Sequence, residues 1–120
     1  MKPTVYVETS VIGYYTARPS RDIVILAHQE ITRQWWPHAS DQFELAVSDV
    51  VQEEITHDDG QSVDERLRII EGLRRLPLSA KAKEVAKRYL AELSLPQSAV
   101  KAAAHLAIAS VLQTRRILFF

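Results

Sequence analysis

Thr4-Val5-Tyr6-Val7-Glu8-Thr9-Ser10 is the stretch on which the fold turns. Four β-branched or aromatic residues end at once in an acid and two hydroxyls. That pattern reads as a short, buried parallel strand running into a polar turn. Thr9 or Ser10 is then placed to cap a short helix, which Gly13 would weaken.

The alternation continues outward from this strand. From Arg21 to Trp36, apolar residues recur every four positions at Ile23, Ala27, Ile31 and Trp35. This is a helical stripe, capped by Ser20 and expected to stop at Pro37. Phe43-Glu44-Leu45-Ala46-Val47 alternates as a second strand, and Ser48 or Asp49 caps a helix through Ile55, with Asp49 and Gln52 at capping-box spacing. After a turn at His57-Asp58-Asp59-Gly60, Ser62 and Glu65 form a capping box for a helix striped by Val63, Leu67, Ile70 and Leu73. Leu76-Pro77-Leu78 reads as a third strand, held to a sheet edge by Pro77. Ser79 opens a helix carrying Ala82, Val85, Ala86, Tyr89 and Leu93. Leu95-Pro96-Gln97 breaks it, Ser98 caps a last helix from Ala99 to about Leu112, and Arg116-Ile117-Leu118-Phe119-Phe120 reads as a fourth strand.

Strands alternating with helices imply right-handed crossovers and an α/β fold whose short parallel sheet is covered on both faces. Ligands in such sheets bind beyond the carboxyl ends of the strands, where strand order reverses. That points to Glu8, to Ser48-Asp49 and to whatever follows Ile117.

The composition narrows the chemistry. At 120 residues the chain suits one domain. Lys plus Arg balances Asp plus Glu at 15 each, which argues against tight non-specific binding to a long duplex but not against a local grip on a short RNA. The absence of cysteine excludes disulfides, thiolate zinc sites and cysteine nucleophiles, and fits a reducing, cytoplasmic setting. Met1-Lys2-Pro3 leads into the first strand without an apolar leader, and no run of apolar residues is long enough to span a membrane.

Val5-Tyr6-Val7-Glu8-Thr9-Ser10-Val11-Ile12 resembles the opening of a PIN domain, in which a strand leads to an acid (usually Asp), then Thr-Ser and a helix. Ser48-Asp49-Val50-Val51-Gln52-Glu53-Glu54-Ile55 resembles the second PIN signature, whose inward Glu falls on Glu54. Pro96-Gln97-Ser98-Ala99 with His105-Leu106-Ala107-Ile108-Ala109-Ser110 resembles the third. Arg21-Asp22-Ile23, Ala27-His28-Gln29-Glu30-Ile31-Thr32 and Trp35-Trp36 resemble a subgroup close to the VapC-type toxins of toxin–antitoxin pairs. The resemblance covers essentially the whole chain. It implies a single domain over residues 1–120 with a three-layer α/β/α PIN-like fold, whose C-terminal part and final edge strand are absent. It also implies a hydrolase, a metal-dependent endoribonuclease that takes Mg²⁺ or Mn²⁺. The implied partners are RNA and a cognate antitoxin filling the acidic cleft; with no fifth strand beside it, the strand at Ile117–Phe120 would expose an apolar edge, from which a homodimer is expected.

Two departures bear on catalysis. Where the family places Asp three residues before the histidine, this chain has Ala102, and the fourth signature would begin about where the chain stops. The resemblance assigns Glu8, Glu54 and Ser10 as catalytic residues, with Glu8 and Glu54 as the metal ligands. Carboxylates of this kind hold a hard cation that polarises a phosphodiester oxygen and delivers hydroxide. With Ala102 in place of a carboxylate, weak metal binding and impaired cleavage are expected. The rival reading is a catalytically dead PIN-like module that binds or dimerises.

Several of these residues also carry plainer readings. Asp49 reads as a helix cap ahead of a ligand, and Ser10 divides between capping and catalysis. His105 reads as a hydrogen-bonded structural histidine ahead of a general base, and Trp35-Trp36 as core packing ahead of base stacking. His28, His57 and the pairs Arg74-Arg75 and Arg115-Arg116 read as solvated.

Overall fold

A computed structural model describes residues 2–57 and 63–111 in full and residues 116–118 as backbone. The chain is mixed α/β: β1 Thr4–Val7, α1 Thr9–Thr16, α2 Ile23–Gln42, β2 Glu44–Ser48, α3 Asp49–Thr56, α4 Val63–Glu71, β3 Arg74–Leu76, α5 Ala80–Glu92, a 3₁₀ turn Gln97–Ala99, α6 Val100–Val111 and β4 Arg116–Leu118. The sheet is small and parallel, in the order β3-β2-β1-β4. Register sets Tyr6 beside Ala46 on one flank and Ile117 on the other, and Ser48 beside Leu76. β2 and β3 extend from β1 one way and β4 returns to its other side, so the order reverses at β1. Glu8 is the first residue beyond that strand.

Burial explains why β1 and β2 are nearly continuous apolar runs. Val5, Tyr6, Val7, Ala46 and Val47 are all buried, with Val11 and Ile12 of α1, Val51 and Ile55 of α3, and Ile108 of α6 packed around them. Trp35, Trp36 and Phe43 pack against this core, with Trp36 stacked on Tyr15 at 5.1 Å between ring centroids. Packing therefore accounts for both tryptophans.

Several expectations need correction. The long helix runs through Pro37 to Gln42, because Ala39 is buried and the helix bonds resume beyond the proline, closing with the Phe43 N–H on the Ala39 carbonyl at 2.9 Å. Only Trp35 of its apolar stripe packs inward: Ile23 is 80% and Ile31 57% exposed and Ala27 is exposed, while the buried positions are Gln29, Thr32 and Ala39. Gln29 turns inward because its amide bonds the Ser20 N–H and the Arg18 carbonyl, closing the preceding loop. Asp22, not Ser20, caps α2, accepting from Val24 and Ile25. The third strand is Arg74–Leu76; Pro77 has no N–H to continue the ladder and ends it, although the strand does lie at an edge.

Ser79 caps α5 as its sequence suggests, accepting from Ala82. The last helix begins at Val100 after the 3₁₀ turn, rather than at Ala99. The capping box at Ser62, the turn at 58–60, Arg115 and the final residues Phe119-Phe120 lie outside the described residues. Arg74 and Arg75 are not simply solvated. Arg74 pairs with Glu44 at 2.6 Å and Arg75 with Asp49 at 3.0 Å, both across exposed surface.

Candidate metal centre

The end of β1 presents Glu8, which caps α1 by accepting the Ser10 N–H at 3.1 Å; the expected caps, Thr9 and Ser10, are instead the first residues of the helix. The Ser10 hydroxyl bonds the same Glu8 oxygen, Oε2. β2 ends at Ser48, whose hydroxyl caps α3 on Val51, and this sets the phase of α3. In that phase Val51 and Ile55 enter the core, Glu53 faces solvent and Glu54 turns towards β1. Asp49 is neither cap nor cluster member; it lies in the first turn, held by Arg75.

α6 supplies the third side. His105 is 2% exposed, with Nε2 at 2.5 Å from Glu54 Oε1 and Nδ1 at 2.5 Å from the Tyr6 hydroxyl. Tyr6 in turn lies 2.7 Å from the Ser48 hydroxyl. Thr9 donates to Glu54 Oε1 at 3.1 Å. Glu8, Glu54 and His105 each bring a potential ligand atom to within 4.8 Å of the others.

The structure thus gathers Glu8, Glu54 and Ser10, and adds Tyr6, Ser48 and His105 in a chain that runs from β2 through β1 and α6 to α3. Tyr6 did not stand out in the sequence, and Ser48 did so as a strand end and helix cap rather than as a link in this chain. The available signal was a tyrosine in a wholly buried strand, since its hydroxyl must find a partner there. Ala102 is exposed, three residues before His105 and so on the same side of α6. His28, expected to be solvated, is half-buried beside Tyr14, with ring centroids 5.3 Å apart. His57 is exposed, with Nδ1 on the Glu53 carbonyl.

The electrostatics favour an anionic Glu54. Burial alone would raise its pKa, but the hydrogen bond from His105, that ring's charge whenever it is protonated, the Thr9 hydroxyl and the charge of Lys101 together lower it. Burial pushes the Tyr6 phenol well above its ordinary range; the Ser48 bond opposes that rise and the charges of Glu54 and Glu8 add to it, so Tyr6 stays neutral. A carboxyl held below its ordinary 4.5 takes up its proton more readily in the unfolded chain. Its contribution to stability is therefore fully present above pH 4.5 and is lost as pH falls through the lower folded value. Acid titration of the urea midpoint should show this loss, and Glu54→Gln should remove that part of the acid sensitivity. An unchanged acid limb in the variant would mean that other carboxyls carry it.

The donor set suits a hard cation. One oxygen of each carboxylate, Glu8 Oε2 and Glu54 Oε1, is held by protein donors. Glu8 Oε1 and Glu54 Oε2 have no protein donor among the described residues. Two such oxygens with water in the remaining positions match the way Mg²⁺ is commonly bound. Beside them an open depression of about 340 Å³ begins at Thr9 and Ser10 and runs past Tyr14 to Gln29 and Arg66. A larger one, about 440 Å³, lies among Lys2, Phe43, Glu44 and Arg74, towards the amino ends of β1 and β2 and away from the carboxylates. The smaller depression is the one adjoining groups that could act on a ligand. Among the described residues, no helix is long and apolar enough to cross a membrane. No family model matches the chain, and no curated protein matches it significantly.

Proposed function

We propose that this chain is a PIN-type protein related to the VapC toxins, a Mg²⁺- or Mn²⁺-dependent endoribonuclease whose catalysis is impaired. The observation that carries the reading is the convergence of Glu8 and Glu54, from the ends of two different elements, where strand order reverses. On this reading the domain covers residues 1–120 and has the three-layer α/β/α arrangement. Glu8 and Glu54 would hold the ion, which supplies Lewis acidity and a water of lowered pKa. Ser10 and Thr9 hold the two carboxylates, and each keeps hydroxyl lone pairs that could accept from a bound water. RNA would run along the depression towards Arg66. The protein would work in the cytoplasm, with a cognate antitoxin covering the cleft and a second copy forming a homodimer.

The exposed Ala102 favours the second reading, a PIN-like binding or dimerisation module without catalysis. Incubating the purified protein with single-stranded RNA and Mg²⁺ or Mn²⁺ separates the two. Slow, chelator-sensitive cleavage supports the enzyme; none in either ion supports the module. Ala102→Asp sharpens the comparison. The change sits in the first turn of α6, where the helix dipole offsets the lower helix propensity of Asp, so stability should move by only about 0.5 kcal/mol. The added carboxylate should tighten Mn²⁺ binding on the order of tenfold, as extra charged ligands do. Calorimetric titration checks this, and unchanged affinity would place residue 102 outside the ion's reach.

A further inference from the structure

The buried polar chain behind Glu54 admits only one consistent direction of hydrogen bonding. Ser48 is fully buried, and its hydroxyl already accepts from the Val51 N–H, so among the described residues its own proton has one acceptor, the Tyr6 oxygen. The Tyr6 proton must then go to His105 Nδ1. An imidazole that accepts at Nδ1 carries its hydrogen on Nε2, which faces the Glu54 carboxylate. In this direction three protons satisfy three bonds with a neutral histidine. The reverse direction leaves the buried Ser48 proton without that acceptor, so the group would bear its full desolvation penalty. It also puts Nδ1–H on the ring, so that Nε2 would face a carboxylate as a second acceptor.

We infer that His105 is a positioning residue, fixed as the Nε2–H tautomer by Ser48 and Tyr6, that holds Glu54 Oε1 and leaves Oε2 as the oxygen offered to a cation. The imidazole is therefore not a third ligand, although it lies within 4.8 Å of both carboxylates. The centre presents one oxygen from each glutamate and no nitrogen, a donor set for Mg²⁺ or Mn²⁺ ahead of ions that seek imidazole. The role of Oε2 rests on the proposed metal-dependent function; the tautomer does not.

Long-range proton–nitrogen correlation spectra of the full-length protein read the tautomer directly, with His105→Gln identifying the signal among the four histidines. The expected pattern is Nε2–H in the metal-free protein, unchanged when Mg²⁺ is added. An Nδ1–H tautomer, an imidazolium at neutral pH, or a metal-induced shift at Nε2 would overturn the inference. Mn²⁺ affinity tests the positioning role. Gln can still donate to Glu54 from nearly the same place, so His105→Gln should bind within about threefold of the unmodified protein. His105→Leu, with no donor, should lose about 10- to 100-fold, as loss of a group that orients a ligand commonly does. Equal losses in both variants would make the imidazole a ligand and sink the proposal. If His105→Leu does not fold, the His105→Gln affinity and the tautomer decide. If no divalent ion binds the unmodified protein, the proposed function fails while the tautomer still stands or falls by the spectra.

Discussion

If the proposed function holds, any RNA cleavage should fall below detection when Glu8 is changed to Gln, whatever the divalent ion supplied. The substitution keeps the length and shape of the side chain, and its amide oxygen can still accept the Ser10 N–H that caps α1. Stability should therefore shift by no more than about 1 kcal/mol, the usual scale of a cap. What disappears is one of the two negative charges that would face a bound ion. Among the described residues no third carboxylate joins the pair to compensate, and misplacing an attacking group commonly costs a hundredfold or more. Any activity, weakened on the proposed reading by the Ala102 substitution of the family's acid, should then be lost in the background. A fluorogenic RNA assay alongside a melting curve tests both halves. Strong cleavage that survives Glu8→Gln would place the chemistry elsewhere in the molecule.

The largest loss of stability is expected at Tyr6. Its side chain is fully buried in a central strand, between β2 and β4, and its hydroxyl joins Ser48 to His105. Tyr6→Ala opens a cavity, which for a large aromatic costs about 3–5 kcal/mol. It also leaves the Ser48 proton and His105 Nδ1 without their buried partner, about 1–3 kcal/mol more. The sum approaches the whole stability of a small domain, about 5–15 kcal/mol. Tyr6→Phe keeps the ring and loses only the hydroxyl, so it should cost about 1–3 kcal/mol and remain folded. Urea denaturation of the two variants separates packing from polar linkage. Equal losses would mean that the hydroxyl, not the ring, dominates.

The positions legible in the sequence were those where local and tertiary demands agree. β1 was readable because a strand buried on both faces needs an unbroken apolar run. The inward turn of Glu54 was carried by the resemblance, and the structure gives its physical basis: the Ser48 cap sets the phase of α3, so Val51 and Ile55 enter the core on one side and Glu54 follows towards β1. The orientation of α2 was not readable. Its four-residue apolar period at Ile23, Ala27 and Ile31 predicts a core face, yet Gln29 and Thr32 are the buried residues, for reasons that lie in the Arg18–Ser20 loop. Pro37 misled similarly, since burial of Ala39 and the helix bonds beyond it outweigh one missing N–H. At the centre the two carboxylates carried a motif, but their support did not. Tyr6 looks like an ordinary strand residue, and Ser48 like a helix cap alone, until a histidine 99 positions after Tyr6 arrives to link them to Glu54.

That separation also sets an order in time. A ribosome adds roughly 5–20 residues each second, so β1, α3 and both glutamates emerge several seconds before α6. During that interval the hydroxyls of Tyr6 and Ser48 have only water or each other, and nothing grips Glu54 from behind. Contacts between such distant segments form late because the intervening loop must close first. The newborn chain therefore carries both acids without the geometry that aims them, and whatever it does at Glu54 begins only when synthesis has passed His105.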